Sequence, residues 1–193
     1  AISRWDGVVW TPLGSGLYPL SPVSQCRELG VFDDGSGPAL YVTGNAWATG
    51  SSPNIVRWNG WTWISLGSGL DKPAHALAVF DDGSGPALYC GGAFNQAGSA
   101  PAAGVARWDG SAWQALGSVD GIWPSAEQTI AFDDGRGLAL WVGGGRGYGP
   151  LAARGVSRWI GGTWVPSDAG LDAYSSVQCF AVHDDGSGPA LFA

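Results

Sequence analysis

The sequence predicts an all-β protein: a β-propeller of four-stranded blades, with four blades' worth of chain and a half-blade at each terminus. Three observations carry that expectation. The motif R-W-x-G-x-x-W occurs four times, starting at Arg4, Arg57, Arg107 and Arg158. A second marker, D-D-G, starts at Asp33, Asp81, Asp133 and Asp184. Between the markers lie short alternating runs, and no window sustains a helical period, so helix content should be very low. A period of about fifty residues built from such runs is the signature of a propeller blade.

The elements of one unit follow in order. Leu77 to Phe80 alternates and reads as the first strand. The D-D-G-S-G-P stretch after it is dense in turn formers and closes a hairpin. Ala87 to Gly92 is the second strand, and a long Gly/Ala/Ser connection leads to the third, Val105 to Trp108. The tight turn D-G-S-A then opens the fourth, Trp113 to Leu116.

The chain is out of phase with its units. Ile2 to Leu13 reads as strands three and four, and Phe180 to Ala193 as strands one and two. Unpaired edges of this kind invite aggregation unless they are closed. Two closures are open: a four-bladed ring within one chain, or an eight-bladed ring shared by two. Four blades stands at the low end of the usual ~4–8, so a homodimer is the expectation.

A glycine doublet ending one strand, an aromatic in the next, and a Trp across a short turn together resemble the kelch repeat. Gly91-Gly92, Trp108 and Trp113 carry the resemblance, which covers the whole chain. Thr43-Gly44 replaces the doublet in the first unit, and Trp stands where kelch repeats usually have Tyr. The arginine before that Trp and the D-D-G-S-G-P hairpin are additions, so the repeat is kelch-like. Near-identity between units points to recent duplication or to design.

Composition narrows the function classes. With 193 residues and a 45% hydrophobic fraction, the chain can build a substantial core despite its 33 glycines. No stretch approaches the ~20 apolar residues of a membrane helix, and no signal peptide is visible. The start at Ala1 and the absence of Met suggest processing, trimming, or a piece of a larger protein. A net charge of −7 argues against nucleic acid as a partner. Cys26, Cys90 and Cys179 lack zinc spacing. They read as free buried thiols, with a Cys26–Cys179 bridge as the alternative. Abundant Trp, Gly and Ser with few Lys suggests an extracellular or cell-surface setting.

The repeated motifs read as scaffold. A Trp pair that serves every unit equally is packing, since each Trp buries ~150–250 Å². The repeated arginines are expected to pair with hairpin aspartates. Adjacent Asp residues followed by Gly do not match the alternating carboxylates of a calcium loop, so D-D-G-S-G-P is expected to be an Asp-capped turn. His75 and His183 fall in different units, and Glu28 and Glu127 are the only glutamates. No catalytic residue, metal ligand set or cofactor is assigned.

Function is expected on the connections that fail to repeat. Strand alternation puts both repeated hairpins at one end of the sheets and the variable loops at the other, where binding residues concentrate. Tyr18, Trp47, Trp123, Tyr148 and Tyr174 are the candidate ligand-binding residues there, with Asn45, Asn54, Asn95 and Gln96 as hydrogen-bonding neighbours. The expected function is a non-catalytic module engaging glycan or protein through this face. The alternatives are a hydrolase or lyase at the central channel, and a repeat fragment or engineered repeat protein with no ligand of its own.

Overall fold

The computed structural model describes residues 2–14, 25–47, 53–117, 122–146, 155–167, 171 and 176–193. Among these the chain is all-β, with no helix. A two-stranded sheet, β1 (Ser3–Trp5) and β2 (Trp10–Pro12), comes first. Sheet 1 follows, with β3 (Cys26–Asp33), β4 (Pro38–Trp47), β5 (Pro53–Trp58) and β6 (Trp63–Ser65). Sheet 2 begins with β7 (Ala74–Asp81) and β8 (Pro86–Gly92). A small hairpin, β9 (Gln96–Ala97) and β10 (Ala100–Pro101), leads to its last strands, β11 (Val105–Trp108) and β12 (Trp113–Ala115). Sheet 3 holds β13 (Ile122–Asp133), β14 (Leu138–Arg146), β15 (Val156–Ile160) and β16 (Thr163–Pro166). A second two-stranded sheet, β17 (Ala181–Asp184) and β18 (Pro189–Phe192), ends the chain.

Each four-stranded sheet is an antiparallel meander in chain order. The strands of sheet 2 match the expected ranges closely, with β7 longer than the alternating run Leu77 to Phe80. The two-stranded sheets are the expected half-units, and β1 and β18 are not hydrogen-bonded to each other.

The hairpins owe their shape to single carboxylates. Asp33 Oδ1 accepts the N–H groups of Gly35 at 2.9 Å and Gly37 at 3.0 Å. Both glycines stand at positive φ, +93° and +102°, which L side chains rarely adopt. Asp81, Asp133 and Asp184 cap their turns in the same way. The expected Asp-capped turn is therefore what forms. In the R-W-x-G-x-x-W turns, Asp109 accepts from Ser111 and Ala112, both at 2.8 Å, and Asp6 and Asn59 do likewise. Ile160 has no such oxygen, and there Gly161 and Gly162 make the turn at positive φ instead.

The sheets stack face to face, and the core lies between them in layers. Tyr41, Ile55 and Phe32 of sheet 1 meet Leu88, Ala106 and Trp108 of sheet 2. Tyr89, Val105 and Phe80 on the opposite face of sheet 2 meet Leu140 and Val142 of sheet 3. Ile2 is buried with Val42, Val56 and Trp63, which seats β1–β2 on sheet 1. The first strands run side by side, with β7 against both β3 and β13. All three cysteines are free. Cys90 on β8 is buried as expected, but Cys26, the first residue of β3, and Cys179, which precedes β17, are exposed. That corrects the expectation of buried thiols for those two.

The repeated arginine finds its aspartate in every whole sheet. Arg57 lies 3.2 Å from Asp34, Arg107 4.0 Å from Asp82, and Arg158 2.6 Å from Asp134. In each case the arginine sits opposite an aromatic of the second strand: Tyr41, Tyr89 or Trp141. These are structural pairs at the hairpin end of the sheets. They do not converge as an anion site.

Candidate functional site at the loop end of the first strands

Opposite the hairpins, the ladder between first and second strands breaks at the same place in each whole sheet. In sheet 2 the register passes from Ala74↔Gly92 to Ala76↔Gly91, which leaves His75 as an extra residue. In sheet 3 it passes from Ala126↔Gly144 to Gln128↔Gly143, leaving Glu127. In sheet 1 the break between Cys26 and Leu29 holds Arg27 and Glu28. A bulge re-aims its side chain out of the pleat and is enriched beside functional sites. Three equivalent bulges therefore carry three residues outside the repeat template: Arg27, His75 and Glu127.

Two of them meet. His75 Nδ1 lies 2.9 Å from Glu127 Oε2, across the gap between sheets 2 and 3. The contact lies off the line of a good hydrogen bond, leaving Nδ1 without a well-aligned partner. Both side chains are mostly buried, at 13% and 22% exposure. The other oxygen of Glu127 accepts the hydroxyl of the buried Ser125. Arg27 is exposed on the same rim.

Glu28 anchors the neighbouring wall. Its Oε2 accepts the Leu77 N–H at 2.7 Å, tying β3 to β7. Burial pushes the Glu28 carboxyl above the usual range, and the Leu77 N–H only partly offsets that. Burial likewise pushes the Cys90 thiol up, with the nearby Glu28 charge adding to it, so Cys90 is not a nucleophile. A recess of about 300 Å³ runs along these strands, lined by Glu28, Leu77, Val79, Thr129, Ile130 and Phe180 among others.

The glycine doublet makes this close approach feasible. A Cβ on Gly91 would stand 3.0 Å from Thr129 Cγ2 and 3.1 Å from Ala126 Cβ, in the next sheet. A Cβ on Gly92 would stand 2.5 Å from the Pro73 carbonyl oxygen, in the segment leading into β7. The first glycine admits the neighbouring sheet, and the second admits the incoming chain.

Chemically, the group joins a carboxylate to a hydroxyl on one side and to an imidazole on the other. It can donate to and accept from a polar ligand. It is not a nucleophile relay, because the hydroxyl serves the carboxylate and not the imidazole. Among the described residues no cluster of three or more metal-ligating side chains occurs.

The expected aromatic face stands differently. Tyr18, Tyr148 and Tyr174 lie outside the described residues. Trp47 and Trp123 have their backbone at the loop ends of β4 and β13, and their side chains lie outside the described residues. Asn54 is buried and donates Nδ2–H to the Leu70 carbonyl at 2.8 Å, so it is a structural residue and not a ligand contact. Asn95 and Gln96 are exposed near this end, held through their N–H groups by Asp71 at 2.7 and 2.8 Å.

Sequence reasoning missed Arg27, His75 and Glu127 as a set, although a signal was there. Each stands six residues before the first Asp of D-D-G, as does Gln178. Aligning the units on the hairpin puts a different polar residue at that one position in every unit.

No protein-family model, curated protein or solved structure matches this chain. Its function has to be read from the site itself.

Proposed function

We propose that the chain builds a kelch-like β-propeller that serves as a non-catalytic binding module, taking a hydroxyl-rich glycan at the loop end of its sheets. The observation that carries this reading is the His75–Glu127 pair. Two bulged side chains that the repeat does not require face each other on the loop side, with exposed Arg27 at the equivalent bulge of sheet 1. An imidazole next to a carboxylate offers adjacent donor and acceptor atoms, which suits neighbouring sugar hydroxyls. The uniform stack of antiparallel sheets, with first strands side by side, is compatible with a propeller around a central channel. A protein surface is the alternative ligand for the same rim.

A second reading draws on the same pair, since an imidazole beside a carboxylate is also half of an acid–base set. Among the described residues it lacks a nucleophile placed to give its proton to the imidazole, since the Ser125 hydroxyl donates to Glu127, and so the binding reading is preferred. The test is a glycan array probed with the intact chain, His75→Ala and Glu127→Gln. Both variants should bind at least about tenfold more weakly, with thermal stability little changed. Binding that survives both substitutions sinks the reading. Conversion of a bound glycan to product, lost in both variants, would move the assignment to an enzyme.

A further inference from the structure

Two departures from the repeat line one recess. Aligned on D-D-G, Glu28 stands where the other units have Ala76, Gln128 and Cys179. Thr129 stands where they have Leu29, Leu77 and Phe180. The other units are thus built without a charge at the first position or a hydroxyl at the second. Both residues nevertheless line the recess of about 300 Å³ that runs along β7 and β13.

Each has hydrogen-bonding capacity that the fold does not use. Thr129 is 4% exposed, and its buried hydroxyl has no hydrogen-bond partner. Leaving such a group unpaired costs stability, so a buried orphan asks for a partner from outside the fold. Glu28 uses Oε2 to accept the Leu77 N–H. The carboxylates of Asp34, Asp82, Asp134 and Glu127 each have a basic partner, in Arg57, Arg107, Arg158 and His75. Among the described residues no basic side chain pairs with half-buried Glu28.

We propose that this recess binds a small organic cation, a primary ammonium on a short apolar body, with Glu28 as its counter-charge and the Thr129 hydroxyl as a further polar contact. The lining decides the class. Leu77, Val79, Ile130 and Phe180 give apolar walls for a hydrocarbon body. The recess has the volume of about ten waters, far more than one metal ion fills. An anion would meet Glu28 as like charge to like. A polyol would leave hydroxyls unpaired against the apolar walls and the carboxylate without a counter-ion. An ammonium replaces the hydration that Glu28 loses on burial with a charge-assisted hydrogen bond. The lining includes neither His75 nor Glu127, so the site does not rest on the glycan reading.

The test titrates the intact chain with n-butylammonium, n-butanol and butyrate, probes of one size, and follows its amide resonances by NMR. Butylammonium should shift the Leu77, Thr129 and Ile130 amides, and the other two probes should bind at least about tenfold more weakly. Glu28→Gln keeps an oxygen for the Leu77 N–H and removes the charge. It should weaken butylammonium about tenfold or more without lowering Tm. Thr129→Val puts a methyl in place of a hydroxyl that bonds to nothing, and should weaken the probe about threefold, again without lowering Tm. Absence of any shift at ~10 mM butylammonium overturns the proposal. So do butanol binding as well as butylammonium, shifts confined to other strands, and an affinity unchanged by Glu28→Gln. Should Glu28→Gln fail to fold, the order of the three probes on the unaltered protein and the Thr129→Val affinity still decide.

Discussion

The indole N–H of Trp164 donates to the carbonyl oxygen of Leu116, 2.8 Å away and in the preceding sheet. Trp113 makes the same bond to Leu66, also at 2.8 Å. Each joins a fourth strand to the end of the fourth strand before it, so the repeat fastens unit to unit as well as strand to strand. The corresponding Trp63 is buried with its indole nitrogen unpartnered.

That difference is measurable. Trp113→Phe and Trp164→Phe should each lose about 1 kcal/mol, or roughly 2–4 °C in Tm, since a carbonyl loses its donor. Trp63→Phe removes a nitrogen that bonds to nothing and should shift Tm by less than half as much. Equal losses at all three positions would show that ring volume alone, and not the hydrogen bond, does the fastening.

Gly91→Ala should destabilise by about 1–3 kcal/mol, because the new Cβ meets packed atoms of Ala126 and Thr129 on β13 of the next sheet. Gly30→Ala is the control. Its Cβ would come 3.3 Å from Leu77 Cδ1, the free end of a side chain that can give way. Urea midpoints for the two variants should differ clearly, and similar values would contradict the close approach of sheets 2 and 3.

Acid should weaken the fold through the aspartates. Burial pushes Asp34 and Asp82 up, but bonds from Ser36 and Ser84 and the charges of Arg57 and Arg107 hold both below the usual range. The N–H groups of Ala112 and Ser111 hold Asp109 low. Groups depressed in the folded state add stability above their ordinary value of about 3.9, and that stability is lost as pH falls through the depressed values. Glu28 acts oppositely, being raised, so its protonation relieves a buried charge and adds stability as pH falls. Asp82→Asn should be less stable at neutral pH and lose less between roughly pH 5 and pH 2. An unfolding midpoint with unchanged pH dependence in this variant would refute the assignment.

Alkali should act through two phenols. Burial, followed by the neighbouring Asp34 and Asp82 carboxylates, pushes Tyr41 and Tyr89 above the ordinary tyrosine range. A group raised in the folded state gives its full stability below the ordinary value of about 10 and loses it as pH rises beyond that. In a phenolate absorbance titration, two of the five tyrosines should ionise only with unfolding. Early ionisation of all five with the fold intact would show that neither phenol is held by its sheet.

Much of the scaffold was legible because its causes are local. Asp33 and Gly35 make their turn from residues two apart, and Trp58 and Trp63 pair across a tight hairpin. Repetition multiplies such signals, so strand order and phase could be read directly. The Arg57–Asp34 pair was also legible, since both partners repeat together. Asn54 was misjudged as a ligand contact because its partner, the Leu70 carbonyl, lies 16 residues away across a connection.

The sequence by itself determined the all-β class, the hairpins, the half-units at both ends and the scaffold role of R-W-x-G-x-x-W. All of these follow from contacts within one unit or from its periodicity. Only the tertiary structure decided that His75 and Glu127 are neighbours. They are 52 residues apart, they meet across two sheets, and each faces the other because a bulge takes it out of strict alternation. Alternation can be read along a chain. A break in it appears only once the partner strand is in place.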